Sequence, residues 1–227
     1  MSNPFAPNGG ARGQYPKPTI IVLTRAPLPG RCKTRLIPLL GGRGAARVQQ
    51  ALLRRLLDEC RQIDARILLA GAPDSRHPAL RRAGVPTATQ VRGNLGRRMC
   101  HHLNAVTAHG SAAVLLGTDG ADLSASHIQR ALDQLADSAD FVLQPSNDGG
   151  YVLIGARKPI RGALAGVDWS SGREARQTAA QLRRQGQLSL LPGRCLDVDW
   201  PEDYRCARRR DLLPPLPGGQ RVTRPTR

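Results

Sequence analysis

Ala112 to Leu116 is a run of five apolar residues leading directly into Gly117-Thr118-Asp119-Gly120-Ala121-Asp122-Leu123. A strand with one wet face alternates polar and apolar residues, so an unbroken run reads as a strand of a parallel sheet buried on both faces. Ligands of open α/β sheets bind just beyond the carboxyl ends of such strands. Asp119 and Asp122 stand at that place, and hard carboxylate oxygens there suit Mg²⁺ or Mn²⁺ carried on substrate phosphates. Asp122 equally fits a turn former that caps a helix beginning near Ser124, and Asp119 a plain turn residue. Both readings stay open at this point.

The flanking chain repeats the strand–helix alternation. Thr19 to Thr24 reads as a β-branched apolar strand, Arg66 to Ala70 as a second, and Val85 to Val91 as holding a third. Ala45 to Ile63 carries Val48, Leu52, Leu56 and Ile63 at helical spacing, widened by Leu53, Leu57 and Cys60. Asn94 caps a helix through about Thr107, and a further helix runs from Ser124 to about Leu135. Strands follow at Phe141 to Gln144 and Tyr151 to Gly155, a helix over Gly172 to Arg184, a strand at Leu188 to Leu191, and a last helix from about Pro201. Repeated β-α-β units predict an α/β fold: one Rossmann-like domain, with a mostly parallel central sheet and helices on both faces. The back-to-back strands around Asp148-Gly149-Gly150 depart from simple alternation.

At 227 residues the chain holds one such domain comfortably. Residues 1–17, rich in Pro, Gly and Asn, read as a flexible tail, residues 18–212 as the domain, and residues 213–227 as a flexible basic tail. No stretch approaches the ~18 consecutive apolar residues of a membrane span. The N-terminus carries no secretory pattern. Five scattered cysteines without C-x-x-C spacing point to a reduced, cytoplasmic protein rather than a zinc or disulfide framework. The net charge of +17 favours anionic substrates. Aromatic residues for base stacking are only 3% of the chain, which argues against a dedicated nucleic-acid binder.

The loop after the first strand, Thr24-Arg25-Ala26-Pro27-Leu28-Pro29-Gly30-Arg31-Cys32-Lys33-Thr34-Arg35, ends in closely spaced cations. Lys33 and Arg35 suit a diphosphate or triphosphate, as a point charge and a bidentate fork. It is not a P-loop, because Cys32 and Pro27 stand where that motif needs glycines. The alternative is a solvated basic loop. Gln90 offers an amide to a base edge, and Gly93 and Gly96 permit close backbone approach, although Gly-Asn is also an ordinary turn and cap. Arg98 fits either a phosphate contact or, as the default in an arginine-rich chain, a solvent-facing side chain. Asp148 can accept from a sugar hydroxyl, or simply form a hairpin turn with its glycines. Asp199 either caps the helix opened by Pro201 or reaches a metal opposite Asp119.

Together these segments resemble a known family. The ordered motifs T-R-A-P-L-P-G-R-C-K-T-R-L, Q-V-R-G-N-L-G-R-R-M, G-T-D-G-A-D-L, N-D-G-G-Y-V-L-I-G and D-V-D-W-P-E-D resemble DUF2064 proteins. These are glycosyltransferase-like members of the GT-A nucleotide-diphospho-sugar transferase superfamily, and the resemblance runs from about Thr19 to Tyr204. It departs where the family usually has Cys-Pro and this chain has Gly120-Ala121, and where it has Asp and Glu in place of Asn94 and Arg97. The resemblance implies a metal-dependent transferase with a nucleotide-sugar donor, or a nucleotidyltransferase using a nucleoside triphosphate, each with an unidentified acceptor. A non-catalytic nucleotide- or anion-binding protein is the alternative of another class. It further implies nucleotide contacts from Arg25, Gly30, Lys33, Gln90, Leu95 and Gly96, with Lys33, Arg35 and Asp119 as the catalytic set. Asp119 and Asp199 would hold Mg²⁺ or Mn²⁺, and Asp148, Gly149, Gly150 and Tyr151 would line the acceptor side.

Overall fold

A computed structural model of the protein describes residues 16–215. Seven strands, β1 (Thr19–Arg25), β2 (Arg66–Ala72), β3 (Thr87–Thr89), β4 (Ala113–Gly117), β5 (Phe141–Pro145), β6 (Tyr151–Ala156) and β7 (Leu188–Leu190), form one sheet in the order β3-β2-β1-β4-β6-β5-β7. Six helices connect or flank them: α1 (Ile37–Cys60), the short α2 (Pro78–Arg81), α3 (Leu95–Thr107), α4 (Ala125–Asp137), α5 (Glu174–Arg183) and α6 (Pro201–Arg209). Every pairing is parallel except the two made by β6. Five residues separate β5 from β6, too few for a crossover, so β6 turns back as a hairpin.

Side-chain alternation divides the core into two layers. Ile20 and Val22 of β1 point toward α1 and α4, whereas Ile21 and Leu23 point toward α3 and α5. β4 splits the same way, with Val114 and Leu116 on the first side and Ala113 and Leu115 on the second. The apolar run is therefore buried on both faces, as its composition predicts. A third cluster joins the start of α1 to α6 through Leu36, Val48, Leu52, Val198 and Tyr204.

α1 begins at Ile37, well before the periodic stretch from Ala45, and is broken at Gly41, where φ is 66°. The glycine-rich first turns carry no apolar pattern to read. Gly costs a helix about 1 kcal/mol against Ala. Burying Val48, Leu52, Leu53, Leu56 and Leu57 contributes about 1.5–3 kcal/mol each, so packing decides the matter. Most of both expected tails lies outside the described residues. Of the parts within, the Pro16 and Lys17 carbonyls accept from Ser111, and Leu213 is buried in the third cluster.

The edge of the sheet away from the β4–Asp119 turn is tied by Asp140. Its carboxylate accepts from Arg157 Nε and Lys158 Nζ, each at 2.9 Å, and from the Gln187 amide at 3.0 Å. Burial alone would raise its pKa, but these hydrogen bonds prevail and hold it at about 2, against an ordinary 3.8. A depressed carboxylate stabilises the fold above its unfolded value, and that stability is lost as pH falls toward the folded one. Asp140→Asn is expected to cost about 2 kcal/mol at pH 7, with the difference from wild type vanishing between about pH 4 and pH 2. Chemical denaturation across that pH range measures it.

Candidate active site

At the carboxyl ends of β1 and β4 the chain encloses a cleft of about 860 Å³. The loop after β1 reaches it through Lys33, which adopts the left-handed backbone region (φ 46°, ψ 45°) before a short 3-10 turn at Thr34–Leu36. For a residue with a Cβ this conformation costs about 1 kcal/mol or more. The side chain shows what offsets it. Lys33 Nζ lies 2.6 Å from Asp119 Oδ1 and 3.1 Å from Asp199 Oδ1, and donates to the Val198 carbonyl at 2.5 Å. Burial works against its charge, but Asp119, Asp199 and Asp197 prevail and hold the ammonium above its ordinary range. Arg35 Nη1 meets Asp199 Oδ2 at 2.9 Å, and its guanidinium stacks 4.6 Å over Trp200.

Asp119 and Asp199 are eighty residues apart, and a short antiparallel zipper unites them. Ala121 donates to the Leu196 carbonyl and Val198 to the Asp119 carbonyl, both at 2.9 Å, around a bridge between Gly120 and Asp197. Asp122 completes the zipper by accepting from the Leu196 amide at 2.7 Å. This resolves its ambiguity: it anchors a strand-like segment, while Ser124 is the N-cap of α4 and bonds its own His127. Gly120 suits the place, since a Cβ there would sit 2.9 Å from Val152. Asp199 does not cap α6 with its side chain; Asp203 does so, accepting from the Trp200 and Asp199 amides.

Asp119 is braced from behind. Thr118 Oγ1 lies 3.3 Å from Asp119 Oδ1, and buried Gln49 donates to the hydroxyls of Thr118 and Thr24. Asp197 faces the same space. Burial first, then Asp119, Asp199 and Asp148, push its carboxyl up to about 8 against the opposing pull of Lys33. Its signal was present in Asp197-x-Asp199, since residues two apart in extended chain face one side. Gln49 sits on a helix with no motif around it, and only the fold brings it to β4.

The remaining predicted residues separate. Arg25, Arg35, Gln90, Leu95, Asp148, Gly150 and Tyr151 line the cleft, and Arg98 joins them instead of facing only solvent. Gly30, Gly96 and Gly149 are not part of the lining. The Gln90 amide donates to the carbonyls of Thr24 and Ala70, so its N–H groups are committed to tying β1 to β2. Asn94 caps α3 by accepting from Arg97. Tyr151 turns its hydroxyl toward Thr178 and Met99, and burial raises its pKa. Asp148 accepts from the Ser146 hydroxyl at 2.5 Å and the Gly150 amide at 3.0 Å. At Gly149 (φ 89°) a Cβ would meet the Gly172 carbonyl at 2.0 Å, and this close approach docks the 168–174 loop with Trp169 at the cleft.

The charges of the cleft come from two parts of the sequence and meet in space, where Lys33 and Arg35 pair with Asp119 and Asp199. The cations, Arg25, Arg31, Lys33, Arg35 and Arg98, all precede residue 100; the carboxylates, Asp119, Asp148, Glu174, Asp197 and Asp199, all follow it. Among the described residues no group of three or more His, Cys, Asp and Glu side chains is arranged to hold a metal. Two hard carboxylates converging on one cation position do fit a Mg²⁺-like ion that takes its other ligands from water and phosphate.

A parallel sheet with one reversed strand and a polar cleft at its carboxyl edge defines an α/β protein of the nucleotide-diphospho-sugar transferase (GT-A) fold. Within that class the chain belongs to the DUF2064 family, described as uncharacterized proteins conserved in bacteria, whose model matches residues 53–171. A solved structure from Desulfovibrio desulfuricans G20, provisionally assigned as a nucleotide-diphospho-sugar transferase, is 28% identical with a TM-score of 0.77, covering 85% of this chain and 87% of that one. Rv0371c from Mycobacterium tuberculosis H37Rv, solved in complex with manganese, is 21% identical with a TM-score of 0.52, covering 87% and 98%. A 4-diphosphocytidyl-2C-methyl-D-erythritol synthase is 13% identical with a TM-score of 0.57, covering 85% and 97%. The last two share the fold. No curated protein matches the chain.

Removing the Asp122 anchor tests the zipper. Asp122→Ala is expected to lower stability by about 1–3 kcal/mol, because a buried amide loses its acceptor, and Asp122→Asn to recover most of it. Thermal denaturation of the two variants measures the difference.

Proposed function

We propose that this protein is a metal-dependent transferase acting on a nucleotide-activated substrate, with transfer of a sugar from a nucleotide-sugar donor as the reading supported best. The observation that carries it is the convergence of Asp119 and Asp199 on one cation position in a cleft that Arg25, Arg31, Arg35 and Arg98 also line. The likeness to the Desulfovibrio protein supports sugar transfer, and the manganese complex of Rv0371c supports a divalent ion. Asp119 and Asp199 would hold Mg²⁺ or Mn²⁺, which when bound neutralises the diphosphate leaving group.

The chain's own groups divide the remaining work. Arg35, about half exposed, and Arg25 line the cleft and would meet phosphate oxygens. Lys33 is almost fully buried and balances the two carboxylates, so it reaches a phosphate only by leaving them. Leu95, exposed at the start of α3, offers an apolar contact to a base, and Asp148 faces the acceptor. Fixed charges lining the cleft act on the developing negative charge without reorganising. Among the described residues no helix is long and apolar enough to cross a membrane, and five free cysteines support a reducing, cytoplasmic setting.

Nucleotidyl transfer is the second reading, since the same fold carries it in the erythritol synthase. A thermal-shift series with nucleotide sugars and nucleoside triphosphates, with and without Mn²⁺, tests both. One nucleotide is expected to stabilise the protein by several degrees only with metal, and Asp119→Asn to abolish the effect. Stabilisation by any polyanion, indifferent to metal and to Asp119, would leave only an anion-binding protein. Release of pyrophosphate rather than nucleoside diphosphate identifies nucleotidyl transfer.

A further inference from the structure

Lys33 spends every hydrogen of its ammonium group on the protein itself. They go to Asp119 Oδ1 at 2.6 Å, Asp199 Oδ1 at 3.1 Å and the Val198 carbonyl at 2.5 Å, and the side chain is only 3% exposed. Arg35 holds the other Asp199 oxygen, so that carboxylate already has a cation on each side. While Lys33 keeps this seat it has no hydrogen left for a phosphate. A cation ligated by both carboxylates needs the same place, and like charges do not share it. The seat is also strained, with the Lys33 backbone in the left-handed region at φ 46° and ψ 45°. A lysine can leave it by rotating its flexible four-carbon stem, whereas Arg35 is stacked on Trp200.

We propose that Lys33 is a built-in counter-ion: it keeps the carboxylate pair closed to a divalent cation until it swings out, and only the swung-out ammonium binds phosphate. The inference rests on the transferase reading above and specifies how that site is regulated. Seated, Lys33 gives Asp119 and Asp199 the positive charge they need in the free protein, which therefore holds divalent ions weakly. Displaced, it enters a cleft that Arg25, Arg31 and Arg98 also line. Ion and phosphate then favour each other, because the same departure of Lys33 serves both. A binding-competent state that is a small fraction of the free protein lowers the apparent affinity by that fraction.

Amine reactivity reads the seat directly, because the chain has three lysines and the other two, Lys17 and Lys158, are about half exposed. Acylation followed by peptide mass mapping is expected to find Lys33 protected in the metal-free protein. At saturating Mn²⁺ it should become at least about tenfold more reactive, with Lys17 and Lys158 unchanged. Lys33→Met should bind Mn²⁺, measured by loss of the free-ion EPR signal, at least about tenfold more tightly than wild type. Arg35→Met takes a cation from the same carboxylate but leaves the seat filled, and should gain at most about threefold. A Lys33 that stays protected while Mn²⁺ is bound overturns the inference, and so does a Lys33→Met affinity no greater than that of wild type or Arg35→Met. The labelling uses the wild-type chain and decides the matter even if Lys33→Met fails to fold. If Mn²⁺ binds and Asp119→Asn abolishes binding, but Lys33 stays protected, only the counter-ion role falls. If Mn²⁺ binds neither wild type nor Lys33→Met, the metal-dependent reading falls with it.

Discussion

One buried ammonium organises the functional edge of this protein. Lys33 Nζ touches Asp119, Asp199 and the Val198 carbonyl, and so joins three segments remote in sequence. A buried charge is stable only when it is paired and hydrogen-bonded. The surrounding structure supplies those partners: β1 and β4 lie side by side, Gln49 and Thr118 brace Asp119, and the zipper at 196–199 delivers Asp199. The left-handed backbone at Lys33 is tolerated for the same reason. Strain at one residue is offset by three contacts at the tip of its side chain.

The same edge gathers charges of both signs. Its cations come from β1, the loop after it and α3, its carboxylates from residues after β4, and the two sets meet where Lys33 and Arg35 pair with Asp119 and Asp199. Asp197 feels both: burial, Asp119, Asp199 and Asp148 push its carboxyl up to about 8 against the pull of Lys33. The overall charge of +17 does not foretell a cleft lined by as many carboxylates as cations.

Much of the fold was legible in the chain. The apolar run at 112–116, the periodicity from Ala45 and the cap at Asn94 each report a local preference that packing then reinforces. Where expectation and structure part, the cause is physical. α1 starts early because its glycines hide the helix from any apolar pattern. The Gln90 amide serves two carbonyls because the ends of β1 and β2 require donors once they are buried. Of the candidate site, Asp119, Asp199, Arg35 and Asp148 stand out as charged residues in small turns at strand ends. Gln49 and Trp169 do not, since nothing local distinguishes a core glutamine or a loop tryptophan from its neighbours.

By itself, then, the sequence determined the class of fold and the strand ends at which chemistry-bearing residues fall, because hydrophobic periodicity and turn composition are local properties of the chain. Only the tertiary structure decided which carboxylates share a cation, that Asp122 anchors rather than caps, and that Gln49 and Thr118 brace Asp119. Those facts depend on contacts between segments up to 166 residues apart, whose geometry is set by sheet order and by the pairing of 119–122 with 196–199.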